Sequence, residues 1–361
     1  MSTKFKTILD KERKKINKKI EEIYRDLIEQ EEEPYLRKFH TYSYNFFKSP
    51  GRRILPICLV NTFLGLSNDR DISELIEDVY KISVSVELLH ISSLIIDDLV
   101  DNEDLRRGQP TFHKSILGLE NLSGKSNSDF ATAAAIYGGN LLSLMGTRII
   151  LDSCFDTARK EKVLQIFLTG LEGITRGHLL DEHYKLKALK HITLEDYLIL
   201  SSLKRGKPME TAIGIGAILG HARKSQLEPL MQAMEKVGII DQLMNDVKGS
   251  FGDPTEKSID ADIINGQCTI LTIIAYQSAS LEQKAVLDST LGNPNATGDQ
   301  IEAVREIFRN TGALDFAKMY ANSLKNDIFN LLEKVYPGLK AEVRSFFNDL
   351  LQFLTDIPVL N

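Results

Sequence analysis

Leu88-Leu89-His90-Ile91-Ser92-Ser93-Leu94-Ile95-Ile96-Asp97-Asp98-Leu99-Val100-Asp101 is an apolar stretch that ends in three acids. Apolar positions at Leu88, Leu89, Ile95 and Ile96, with Ser92 between them, recur at helical spacing. The same spacing runs upstream through Ile72, Leu75, Ile76, Val79 and Tyr80, so a long helix is expected from near Asp71 to the acids. Little β-type alternation appears elsewhere, and the chain reads as all-α, with ten or more helices and no sheet. Breaks are expected at Lys48 to Gly51, Leu66 to Asp71, Gly118 to Asp129, Gly252 to Asp262 and Gly292 to Asp299, where Gly, Pro, Ser and Asn gather. Leu119 to Asp129 reads as a surface loop, and none of the breaks reads as an interdomain linker. One domain spanning 1–361 is therefore expected.

Composition narrows the function. At 361 residues, 43% hydrophobic and 26% charged, the chain has enough material for a substantial core. A formal net charge of −6 supplies no broad basic field for nucleic acid, so an anionic ligand must be held by local Lys and Arg clusters. Cys58, Cys154 and Cys268 are far apart and form no CxxC or Cys/His pair, which fits reduced thiols. No apolar run reaches the ~20 residues that span a bilayer, and Met1 to Lys19 is too charged for a signal peptide. A cytoplasmic protein without stable membrane insertion is expected.

The acids carry chemistry. On a helix, Asp97 and Asp101 lie one turn apart on one face, with Cβ atoms about 5–6 Å apart. Carboxylates in a last turn oppose the helix dipole at a cost of about 0.3–1 kcal/mol each, so a cation should offset them. Mg²⁺ suits such a place, because it takes one or two carboxylates, several waters and substrate phosphates. Five residues on, Arg106-Arg107-Gly108-Gln109-Pro110-Thr111 puts two guanidiniums beside the carboxylates, and Arg forks bind phosphate oxygens bidentately. A solvated acidic helix end with a surface ion-pair network is the plainer reading of the same residues.

Glu87 to Thr111 as a whole resembles the first aspartate-rich region of the trans-isoprenyl diphosphate synthases, and the resemblance runs in order across 49–334. It implies a helical bundle around a substrate cavity, Mg²⁺ as cofactor, and isopentenyl diphosphate and an allylic prenyl diphosphate as substrates. It also implies a homodimer or higher homo-oligomer. Within it, Asp97, Asp98 and Asp101 would hold Mg²⁺, Arg106 the allylic diphosphate, and His90 and Arg107 the isopentenyl diphosphate. Pro50-Gly51-Arg52-Arg53-Ile54-Leu55-Pro56 resembles the family's GGKRxRP segment, so Arg52 and Arg53 would bind isopentenyl diphosphate, while Leu55 replaces a second phosphate-binding Arg. Lys204-Arg205-Gly206 matches the KTG segment with Arg205 in place of Thr, and Lys204 would be a diphosphate ligand. Arg176-Gly177-His178 carries GH where GQ is usual, and Gly139-Asn140 stands where GD is usual.

The second acidic region is thinner. Gln242-Leu243-Met244-Asn245-Asp246-Val247-Lys248-Gly249 aligns with the family's QIxDDxxD and keeps one of three aspartates. Asn245 and Asp246 are the metal candidates here, Lys257 would add a cation to the leaving group, and Gln242 would steady that group. Ionisation of the allylic diphosphate would fall to Mg²⁺ with Arg106, Lys204 and Lys257. The small Ser92 and Ser93, just before the acids, would leave the tail tunnel open. Its floor is then expected at Leu88 and Leu89 or on a facing helix such as Ala131 to Ile150, giving products of C20 or longer. Two other readings stay open: a non-catalytic subunit of a heteromeric synthase, because motif residues are missing, and a class I terpene cyclase, because Asn245 and Asp253 have cyclase-like spacing.

Overall fold

The computed structural model describes residues 3–48, 51–106, 108–119, 125–252 and 260–355. Helices follow one another as α1 (Thr3–Gln30), α2 (Pro34–Lys48), α3 (Ile54–Leu66), α4 (Asp69–Val100), α5 (Phe112–Leu119), α6 (Lys125–Leu151), α7 (Thr157–Lys185) and α8 (Leu194–Ser201). A π-helical turn, Ser202–Gly206, leads into α9 (Lys207–Leu219) and α10 (Lys224–Phe251). Six shorter or peripheral helices complete the all-α fold: α11 (Ala261–Ile264), α12 (Ile270–Ser278), α13 (Leu281–Thr290), α14 (Gly298–Asn310), α15 (Ala313–Glu333) and α16 (Ala341–Thr355).

Polar caps punctuate the chain where the sequence turns polar. Asn68 accepts from the Asp71 amide at 2.9 Å to start α4, and Asp156 accepts from the Arg159 amide at 3.0 Å to start α7. Thr193 and Asp196 form a reciprocal capping box at α8. Helix α4 is the central rod: its residues from Val79 to Leu94 are buried on nearly every side, as expected for a helix apolar all round. It lies along α6, with α3, α7 and α9 also against it, while α10 packs on α9 and α15. Gly139 on α6 permits the α4 contact, since a Cβ there would sit 2.9 Å from Ile96 and 3.1 Å from the Ser92 carbonyl.

Three expectations change. A short antiparallel ladder exists, Leu105–Arg106 against Gln109–Pro110, because the chain reverses at Gly108 (φ 74°) and Thr111 N–H then reaches the Asp104 carbonyl at 3.0 Å. Of the loop expected over Leu119 to Asp129, Lys125 to Asp129 is helical, because the Ala-rich continuation of α6 carries its start upstream, and 120–124 lie outside the described residues. Finally, Asp69–Val100 and Ser128–Leu151 are long and apolar enough to cross a membrane by length and composition. Scattered Ser, Thr and Gly break the visible apolar run without lowering the average much. In α4 that apolarity serves the core, for 83% of its most apolar window is buried, against 44% in the second helix.

Candidate active site

The site grows from the C-terminal end of α4, where Asp101 caps the helix through its N–H to the Asp97 carbonyl at 2.9 Å. Three acids gather where the dipole is already negative, and the chain supplies its own compensating cations. Asp98 is 1% exposed and is gripped by Arg106, whose Nε lies 2.7 Å from both carboxylate oxygens. The hairpin brings Arg106 back over α4 to make that fork. Its guanidinium also stands 4.0 Å from Asp97 Oδ2.

Helix α7 presents a second set. His178 Nδ1 lies 2.8 Å from Asp97 Oδ1, and Lys185 Nζ lies 2.6 Å from Asp101 Oδ1. Between them, Asp181 accepts from Lys204 Nζ, and Lys204 is 3.8 Å from Asp97. His178, Asp181 and Lys185 fall at i, i+3 and i+7, one face of a helix. Gly177 makes room for the π turn, since a Cβ there would meet the Lys204 amide at 2.9 Å. Burial works to raise the Asp97 pKa, but Lys204, His178 and Arg106 overcome it and hold this carboxyl well below the usual range, so it is ionised. Burial likewise opposes the charge on Lys204, and Asp97 and Asp181 still raise its pKa above that of a free lysine.

At the second acidic region, Gln242 on α10 accepts from Arg205 Nε at 3.3 Å and donates to Asp246 Oδ1 at 2.7 Å. Consecutive residues of the π turn thus reach both acidic regions, Lys204 toward Asp97 and Arg205 toward Gln242. Asp246 is buried and also accepts from Tyr197 Oη at 2.7 Å and from the Ile270 amide, the first of α12, at 3.2 Å. Burial, with Asp262 nearby, pushes its pKa up to about 7, against those hydrogen bonds. Its carboxyl therefore anchors α8, α10 and α12 to one another. Asn245, beside it, is half-buried. Asn265 Nδ2 to Glu103 Oε1, at 3.4 Å, also ties this side to the segment following α4.

Among the described residues, no three His, Cys, Asp or Glu side chains converge as a ready ligand cage. The donors present are nevertheless hard oxygens, and Asp97 and Asp101 are carboxylates one turn apart, which fits an ion that relies on two carboxylates, water and phosphate.

The remaining candidates are distributed. Arg52 is exposed and pairs with Asp241 Oδ1 at 3.3 Å. Arg53 is 4% exposed, bonded to Glu87 Oε1 at 2.7 Å, Asn17 Oδ1 at 3.0 Å and the Phe47 carbonyl, so a ligand contact from it would require breaking these. Leu55 is buried. His90 is half-buried two turns before Asp97. Arg107 and Lys257 lie outside the described residues. Leu88, Leu89, Ser92 and Ser93 are all buried. Ser92 donates to the Leu89 carbonyl at 2.7 Å and accepts from Ser143 of α6 at 3.0 Å, whereas Ser93 donates to the His90 carbonyl at 2.8 Å. Asp181, Lys185 and Tyr197 were not expected; the i, i+3, i+7 spacing on α7 was the signal available for the first two.

Comparison with known proteins bears on this arrangement. The polyprenyl synthetase family model matches residues 36–308. The geranylgeranyl diphosphate synthase of Saccharolobus solfataricus is 29% identical over 78% of this chain and 80% of its own length. The geranylfarnesyl diphosphate synthase of Aeropyrum pernix is 28% identical over 87% of this chain and 92% of its own. In fold, the geranylgeranyl pyrophosphate synthase of Corynebacterium glutamicum, complexed with isoprenyl diphosphate and magnesium, superposes with a TM-score of 0.85 at 22% identity, covering 97% of this chain and 98% of that one. The chain belongs to the polyprenyl synthetase family, the trans-isoprenyl diphosphate synthases.

Proposed function

We propose that the chain condenses isopentenyl diphosphate with an allylic diphosphate to give a linear trans-polyprenyl diphosphate of C20 or longer. The observation that carries this is the convergence of Arg106, His178, Lys185 and Lys204, from three separate segments, on the acids that end α4. Asp97 and Asp101 would hold Mg²⁺, with Asp98 behind them seating Arg106 and Asn245 offering an amide oxygen from the other side. When bound, Mg²⁺ would supply charge neutralisation of the diphosphate.

The chain's own groups do the rest. Arg106 and Lys204 stabilise charge developing on the bridging oxygen as the allylic C–O bond breaks, with Lys257 in the same role. The double bond of isopentenyl diphosphate, held by Arg52, His90 and Arg107, forms the new C–C bond to the allylic cation. One proton is then lost, and the departing diphosphate, steadied by Gln242, accepts it. Water must be kept from the cation, and the apolar walls of α4 and α6 near Leu88, Leu89 and Ser92 suit that task. The whole chain would act as one cytoplasmic catalytic domain. Its partner is a second copy, because Tyr137, Leu144 and Leu151 form a stripe of three exposed apolar side chains spaced seven residues apart on α6, and Leu168 and Leu179 are exposed on α7.

A second reading, a non-catalytic subunit of a heteromeric synthase, draws on Asp246 being occupied by protein donors and on Leu55. One assay separates the two: purified chain, labelled isopentenyl diphosphate, Mg²⁺ and a panel of allylic diphosphates. Products of C20 or longer are expected, and Ser92→Phe, which puts a ring at the α4–α6 contact, should shorten them. No turnover with any primer sinks the catalytic reading; unchanged products from Ser92→Phe sink the assignment of Ser92.

A further inference from the structure

Lys185 is the last residue of α7, where the helix dipole favours a cation. Its side chain is 18% exposed, and its ammonium sits 2.6 Å from Asp101 Oδ1. Glu182, one turn back on the same helix face, shares that ammonium and is itself 44% exposed. Asp101 is one of the two carboxylates assigned above to Mg²⁺, and the ammonium already holds its Oδ1. Mg²⁺ needs its oxygens at about 2.0–2.1 Å, and an ammonium held against the same carboxylate would repel it.

We propose that Lys185 is a resident counter-cation on Asp101, which a divalent metal must displace, and that this exchange couples metal uptake to the arrival of the diphosphate. The inference rests on the metal reading given above. Glu182 makes the exchange feasible, because the flexible lysine stem can swing its charge wholly onto that carboxylate without leaving it unpaired. In the chain without substrate, Lys185 lowers metal affinity by the fraction of time it holds Asp101. An incoming diphosphate offers the ammonium phosphate oxygens instead, so each ligand strengthens the other.

The test is titration of the full chain with Mn²⁺ alone, followed by electron paramagnetic resonance, in wild type, Lys185→Gln, Lys185→Arg and Lys187→Gln. Lys187 is exposed and lies over the Tyr184 ring at 4.8 Å, so it controls for the loss of one nearby positive charge. Lys185→Gln should bind Mn²⁺ about tenfold more tightly, within the usual range of coupling; Lys185→Arg and Lys187→Gln should match wild type. Added inorganic pyrophosphate should tighten Mn²⁺ binding in wild type more than in Lys185→Gln. If the Gln variant does not fold, Lys185→Met replaces it. Unchanged or weaker binding by the neutral variant overturns the proposal, as does an equal gain in Lys187→Gln. Mn²⁺ uptake by none of the proteins, even with pyrophosphate, overturns the metal reading itself.

Discussion

Arg53 takes a left-handed backbone conformation (φ 54°) immediately before α3, and this turns its guanidinium inward onto Glu87. Removing one partner of a buried ion pair leaves the other charge uncompensated, so Arg53→Met or Glu87→Gln should cost about 3–5 kcal/mol in urea unfolding. The double variant Arg53→Met/Glu87→Leu should recover part of that loss. A KM for isopentenyl diphosphate that rises sharply in folded Arg53→Met, with little loss of stability, would instead make Arg53 a substrate ligand. Adjacent arginines in Gly51-Arg52-Arg53 show why sequence stops short here: the motif places two guanidiniums at a helix start, but which one turns inward depends on a φ angle. His40 makes a different point. Burial holds its pKa below the ordinary value, with Glu31 opposing, and its Nδ1 has no hydrogen-bond partner. Protonation is therefore harder in the folded chain than in the unfolded one, which takes up a proton below a pH of about 6.5, so stability falls as pH drops through that region. Melting followed by circular dichroism should show a lower Tm at pH 5.5 than at 7.5, and a smaller difference in His40→Asn.

Element by element, the long helices were legible because their apolar periodicity and caps agree, from Asn68 to Asp101 most of all. Ser202–Gly206 was not, since a π turn of five residues is too short to set a period of its own and leaves no mark in composition. Yet that turn aims Lys204 and Arg205 at two different helices. It is seated on Gly238 of α10, where a Cβ would come within 2.3 Å of the Arg205 carbonyl. Gly238→Ala should therefore shift the turn and lower kcat about a hundredfold, the loss that a misplacement of about 1 Å can bring. Steady-state kinetics at saturating substrates would show it, and a kcat near wild type would mean that the turn is not what positions Lys204. The hairpin at Arg106 was missed for a related reason: two paired residues are too short to alternate, and Gly108 alone marked the reversal.

At the scale of the molecule, the acids and their order along the chain were readable, whereas the cations facing them were only partly so. His178 belongs to the Arg176-Gly177-His178 segment, but Lys185 comes from a helix end whose contact with Asp101 depends on how α7 lies against α4. The outer stripe of α6 is likewise a property of packing, because only the folded bundle decides which apolar face stays uncovered. Leu144, 65% exposed at its centre, gives the test. Leu144→Glu should convert the proposed homodimer into monomer by light scattering, through a buried charge with no partner, and a mass unchanged from wild type would overturn the assignment of this stripe as the interface.

The arrangement around Asp97, Asp98 and Asp101 has one more consequence. Arg106 arrives by a hairpin, His178 and Lys185 by α7, and Lys204 by a π turn, so no stretch of chain carries the centre by itself. It comes into being only when distant segments have docked. The metal and diphosphate of the proposed reaction would therefore bind only the finished bundle, and binding that excludes the unfolded chain would add to its stability in proportion to the logarithm of ligand concentration. The substrate would in this sense be a structural member of the protein, and without it a larger share of the chain would be unfolded at any given temperature.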